Sequence, residues 1–138
     1  MNAYLDSSVV LRLALGEPGR LEGWAGYELR VASDLAEVEC LRTLDRLRLR
    51  QDIGEGEVVE RREALFTLLE ACELVELSPR ILQRASEPFP VSLGTLDALH
   101  LATALLWRQE RGESLLMATH DEALGQAARA FGMPVAGL

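Results

Sequence analysis

Short runs rich in Val, Leu and Tyr, too short for helices, alternate along the chain with longer stretches whose apolar residues recur at helical spacing. That alternation is the pattern of a parallel α/β sheet, in which helices connect successive strands. The expected strands are Asn2–Leu5, Leu29–Ala32, Leu74–Leu77, Leu115–Ala118 and Pro134–Ala136. Helices are expected at Ser7–Leu15, from Pro18 to about Glu28, at Asp34–Gln51, Glu57–Ala71 and Arg80–Ser86, from Leu96 to about Glu110, and at about Asp121–Phe131. Asp6 or Ser7 should cap the first of these, Pro18 should open the second, and Thr95 should cap the helix from Leu96. The expectation is one domain over residues 1–138, with three α/β/α layers around a central parallel sheet of about five strands.

Of the 138 residues, 49% are apolar, enough for one sizeable core without disulfides or a structural metal. No apolar stretch is long enough to span a bilayer. The segment MNAYLDSS lacks a basic leader and Arg12 interrupts the apolar run after it, so a cytoplasmic location is expected. Cys40 and Cys72 have no metal-ligand spacing and read as reduced, buried thiols. The balance of 14 basic and 22 acidic residues gives a formal charge of −8, which taken alone opposes non-specific nucleic-acid binding. All 14 basic residues are arginine, so mechanisms built on a lysine nucleophile, a Schiff base or a P-loop ammonium are excluded.

Ligands of open parallel sheets bind beyond the C-terminal strand ends, and two aspartates fall there: Asp6 directly after the first strand, and Asp121 three residues past Ala118. Taken singly, each is explained as a helix cap. Asp97 differs, because it lies in the first turn of TLDALHLATALLW, a helix apolar nearly all round, where Thr95 is already available as cap. A place in a shared acidic pocket explains it better than a surface role at the helix dipole. Glu39 borders an expected core stripe of Leu35, Val38, Leu41 and Leu44 and leads a face bearing Arg42, Arg46 and Arg50. An ion pair with Arg42 would account for it blandly. A metal ligand beside a phosphate-binding track would account for the whole face.

Four acids from separate segments cannot share one pocket uncompensated, since close like charges raise one another's pKa. A divalent cation resolves the conflict, and an oxygen-only donor set favours Mg²⁺ or Mn²⁺. The chemistry this points to is phosphodiester hydrolysis. His100, three residues after Asp97, reads as structural, and His120 as orienting a carboxylate or facing solvent. Gly54 and Gly56 lack the third glycine and the preceding strand of a dinucleotide site. Two other classes stay open: a phosphatase or phospho-acceptor domain, which usually needs a lysine that this chain lacks, and a non-catalytic acidic interaction module whose acids merely cap helices.

Four segments in order, YLDSSVVLRLALGEPG, SDLAEVECLRTLDR, LGTLDALHLATAL and LLMATHDEALGQAARAFGMPV, resemble the PIN-domain ribonucleases of the VapC toxin type over nearly the whole chain. The resemblance implies that Asp6, Glu39, Asp97 and Asp121 are the catalytic acids, with Asp6 and Asp97 holding metal and Glu39 and Asp121 doing so directly or through water. Of the neighbouring Glu37 and Glu39, the distance from Ser33 and the LRTL run on the C-terminal side match Glu39 to the family position. Ser7 and Thr119 match small polar positions that support the site in similar proteins. The resemblance further implies Mg²⁺- or Mn²⁺-dependent endonucleolytic cleavage of structured RNA, inhibition of translation, a homodimer, and neutralisation by a VapB-like antitoxin.

Overall fold

A computed structural model describes residues 1–138. In chain order the elements are β1 (Asn2–Leu5), α1 (Ser7–Leu15), β2 (Arg30–Ser33), α2 (Leu35–Leu49), α3 (Glu55–Glu70), β3 (Glu73–Val75), α4 (Pro79–Ala85), α5 (Thr95–Arg111), β4 (Leu115–Ala118), α6 (Glu122–Ala130) and β5 (Val135–Ala136). The five strands form one sheet in the order β3-β2-β1-β4-β5, and every pairing is parallel. The three-layer α/β/α architecture expected from the alternation is the one the chain adopts.

Strand alternation divides the core in two. Ala3 and Leu5 of β1 pack with Val9, Val10, Leu65 and Leu69, beneath α1 and α3. Tyr4, between them, points to the opposite face and joins Leu101, Trp107, Met117 and Leu124, beneath α5 and α6. The chain builds outward from β1 to β2 and β3, then crosses back to lay β4 against the other flank of β1. The order of the strands therefore reverses between β1 and β4, and a crevice opens at such a point beyond the strand ends.

Several local expectations are corrected. The helix from Pro18 to Glu28 does not form; only Trp24–Gly26 makes a 3₁₀ turn. Gly16, Gly19 and Gly23 all hold positive φ, which breaks any helical run through this stretch. Gly94, not Thr95, occupies the N-cap of α5, and α3 starts at Glu55 rather than Glu57. β3 ends at Val75, because the Leu77 amide turns to the Asp34 carboxylate (3.3 Å). In α2 the buried stripe is Ala36, Cys40 and Leu44, while Val38 is 56% exposed. No helix is long and apolar enough to cross a membrane.

Candidate active site

The β1–β4 register, with Leu5 opposite Ala118, brings together the residues just past the two strands, and the Asp6 amide donates to the Ala118 carbonyl at 3.0 Å. Asp6 is only 4% exposed, yet its side chain caps nothing. Its Oδ2 accepts instead from Ser8 Oγ (2.7 Å) and Thr119 Oγ1 (2.8 Å). The same Thr119 oxygen accepts from the Asp121 amide (3.0 Å), so one buried hydroxyl joins both acid-bearing strand ends. Asp121 does cap α6, through Oδ1 and the Leu124 amide (2.8 Å). Capping thus accounts for one oxygen of Asp121 and for none of Asp6.

Glu39 enters from α2, where its Oε1 accepts from Ser7 Oγ (2.6 Å) and contacts His100 Nε2 (2.6 Å). Glu37, two residues earlier, makes no such contact. The ion pair with Arg42 that would have accounted for Glu39 blandly is absent too, because Arg42 pairs with Asp45 (3.1 Å). Asp97 stands in the first turn of α5, three residues before His100. Burial, then the charges of Asp121 and Asp6, push its carboxyl up to about 6, with a smaller push from Glu39. All four acids are therefore electrostatic neighbours at one end of the sheet. Burial also disfavours the charged Glu39, but the hydrogen bonds from His100 and Ser7 outweigh it and hold this carboxyl below its ordinary range. For His100, burial opposes charge, and the Glu39 bond with the nearby Asp6 charge overrides it, raising its pKa.

The hydrogen bonds share one pattern. Asp6, Glu39 and Asp121 each spend a single oxygen on protein donors and keep the other free of them, and Asp97 keeps both. No group of three or more His, Cys, Asp or Glu side chains forms a cage that could hold a metal ion. Mg²⁺ needs no such cage, since it takes one or two carboxylates and fills its remaining positions with water and substrate phosphate. The donor chemistry fits: carboxylate oxygens only, with a mutual repulsion at Asp97 that a hard divalent cation would relieve.

Arg42 and Arg46 lie exposed on α2, Arg46 reaching Thr43 Oγ1 (2.9 Å), and Arg50 is exposed at its C-cap. Cys40 is buried as expected; burial and then Glu39 and Asp6 push its thiol up to about 12, so it stays protonated and unreactive. His120 neither orients a carboxylate nor faces solvent fully. Its Nδ1 contacts the Gly137 carbonyl (2.7 Å) and its amide donates to Ser8 Oγ (3.0 Å). His100 departs furthest from the sequence reading, because a residue read as structural is bonded to the acid site.

The family model described as "PIN domain" matches residues 3–130. The chain is 35% identical over 136 residues to Ribonuclease VapC46 of Mycobacterium tuberculosis, covering 96% of this chain and 94% of that protein. Its fold is similar to that of VapBC2 from Rickettsia felis bound to a DNA fragment from their promoter, with a TM-score of 0.68 at 12% identity, covering 99% of this chain and 98% of the other. A toxin-antitoxin complex from Klebsiella pneumoniae gives a TM-score of 0.64 at 17% identity, covering 97% and 95% of the two chains.

Proposed function

Since the chain belongs to the PIN-domain family, in its VapC group, we propose that it is a divalent-metal-dependent endoribonuclease acting as the toxin of a toxin–antitoxin pair. The observation that carries this reading is the meeting of Asp6, Glu39, Asp97 and Asp121 at the β1–β4 crevice, with carboxylate oxygens left free of protein donors. Asp6 and Asp97 would hold Mg²⁺ or Mn²⁺, with Glu39 and Asp121 joining directly or through water. When bound, such an ion supplies a nucleophilic water at neutral pH and neutralises charge on the phosphate.

The chain's own residues prepare the rest. Ser8 and Thr119 fix the rotation of the Asp6 carboxylate, and Ser7 fixes that of Glu39. Thr119 ties the backbone at Asp121 to Asp6, so the two strand ends keep one spacing. Arg42, Arg46 and Arg50 meet phosphates of a structured RNA along α2, a local cationic face on an acidic protein. The protein works in the cytoplasm as a homodimer, silenced by a VapB-like antitoxin.

The test is cleavage of structured RNA by purified protein. With Mg²⁺ or Mn²⁺ it should proceed, and chelation should abolish it. Asp6→Asn should lose several kcal/mol of charge stabilisation, about 100-fold or more in rate. Cleavage that persists in chelator, or is indifferent to Asp6→Asn, would sink the reading. Sequencing RNA ends after induced expression, against the Asp6→Asn control, identifies the target.

A further inference from the structure

His100 is a polar side chain inside a helix, 1% exposed, yet its ring meets oxygens from three other elements and from the acid that follows β1. Nδ1 lies 2.7 Å from Tyr4 Oη in β1. Nε2 lies 2.6 Å from Glu39 Oε1 in α2, 2.8 Å from Ser7 Oγ in α1, and 3.8 Å from Asp6 Oδ1. The proton positions come from donor counting. A carboxylate oxygen only accepts, so at 2.6 Å Nε2 must carry the hydrogen. The Ser7 hydroxyl donates to the same Oε1, which fixes that oxygen from two sides. In the neutral ring Nδ1 accepts from the buried Tyr4 phenol, and in the charged ring it donates to the same oxygen, so Tyr4 orients the ring with Nε2–H on Glu39 in either form.

This chain of bonds links β1, α5 and α2. Glu39 has a long, rotatable side chain that is only 22% exposed, and nothing but His100 and Ser7 bonds its carboxylate. Loss of the imidazole would release one of these two restraints and leave a buried gap beside the acids. The ring is also 5.9 Å from that of Tyr4 in an edge-to-face arrangement, so its own orientation is set by packing as well as by the hydrogen bond.

We propose that His100 is a positioning residue for the acid site: oriented by Tyr4, it anchors Glu39 Oε1 and thereby turns the second oxygen of Glu39 toward the metal-holding acids. The inference rests on the proposed nuclease function, since it assigns His100 a purpose within that site. Being 1% exposed, His100 acts through Glu39 rather than on the RNA.

Three variants test it: His100→Leu, which fills the space without a donor; His100→Gln, whose side-chain amide can restore the Nε2 hydrogen bond; and Tyr4→Phe, which removes the phenol that meets Nδ1, along with its contacts to Thr103 and Ser33. Each is checked for folding by circular dichroism, then titrated with Mn²⁺ by calorimetry without RNA, and assayed for kcat and KM on RNA. Mn²⁺ affinity should fall about 10- to 100-fold in His100→Leu, in the range lost when outer partners of metal ligands are removed. kcat should fall with it while KM for RNA holds. His100→Gln should recover most of both, and Tyr4→Phe should show a partial loss. Imidazole ¹⁵N spectra of the metal-free wild type should show a proton on Nε2, in the neutral or the charged ring. The proposal is overturned if folded His100→Leu binds Mn²⁺ as the wild type does, if folded Gln and Leu variants are equally impaired, or if the proton sits on Nδ1 alone. Should His100→Leu not fold, the Gln and Phe variants and the spectrum decide by the same criteria. A wild type that neither binds Mn²⁺ nor cleaves RNA, with the proton on Nε2 in place, would overturn the nuclease function and the metal-linked purpose of His100 with it, leaving only the proton assignment.

Discussion

Asp97 carries a cost that the other acids do not. Its carboxyl, pushed up to about 6, titrates well above the roughly 3.9 of an aspartate in an unfolded chain. The unfolded chain therefore gives up this proton first, and the contribution of Asp97 to metal-free stability is undiminished below about pH 4 and is lost as pH rises from there through 6. Two pH units correspond to about 2.7 kcal/mol, and solvent screening at a partly exposed group reduces this to about 1 kcal/mol. Asp97→Asn should accordingly raise metal-free stability by about 1 kcal/mol at pH 8, with the gain shrinking between pH 6 and pH 4. Urea melts in chelator check this, and a gain independent of pH would contradict it. Added Mn²⁺ should raise the wild-type Tm by mass action and leave Asp97→Asn nearly unmoved. That Asp6, Asp97 and Asp121 lie near one another is legible in the sequence because strand ends and a polar residue in an apolar helix are local signals, whereas Glu39, on the border of an amphipathic stripe, is told from Glu37 only by the family resemblance. The role of His100 is not, since helical spacing shows only its own face, while Tyr4, Ser7 and Glu39 reach it from other elements. The one available hint is its position three residues after Asp97.

Among the elements, α2 joins a buried end to an exposed one. Glu39 is tied to α1 and α5, whereas Arg42, Arg46 and Arg50 lie open to solvent beyond it. If these arginines meet RNA phosphates, replacing all three with alanine should reduce the slope of log K against log salt by about 0.7 per lost contact. Binding assays across a salt series, using the Asp6→Asn protein to prevent cleavage, measure this; an unchanged slope places the RNA elsewhere. The buried stripe of this helix differs from the expected one because Ala36 and Cys40 are weak hydrophobic signals beside Val38, yet their small size lets α2 pack closely. The missing helix after Pro18 has the opposite cause. Leu21, Trp24 and Tyr27 suggest a period, and the glycines at 16, 19 and 23 override it with backbone angles a helix cannot use.

For the molecule as a whole, class, strand number and layer order are legible, since alternation of periods is a long-range property that no single boundary error disturbs. Strand order is not, because it depends on which flank of β1 receives β4. Leu101, fully buried under the sheet on the Tyr4 side, tests the integrity of that layer. Leu101→Ala should cost about 2–5 kcal/mol in chemical denaturation, and a loss under about 1 kcal/mol would mean the layer is loosely packed. β1 lies at the middle of the sheet, flanked on both sides, and Asp6 leaves directly from its end. No peripheral fraying can therefore disarm the first acid; an inhibitor that leaves the fold intact must succeed by shielding the crevice rather than by loosening what lies beneath it.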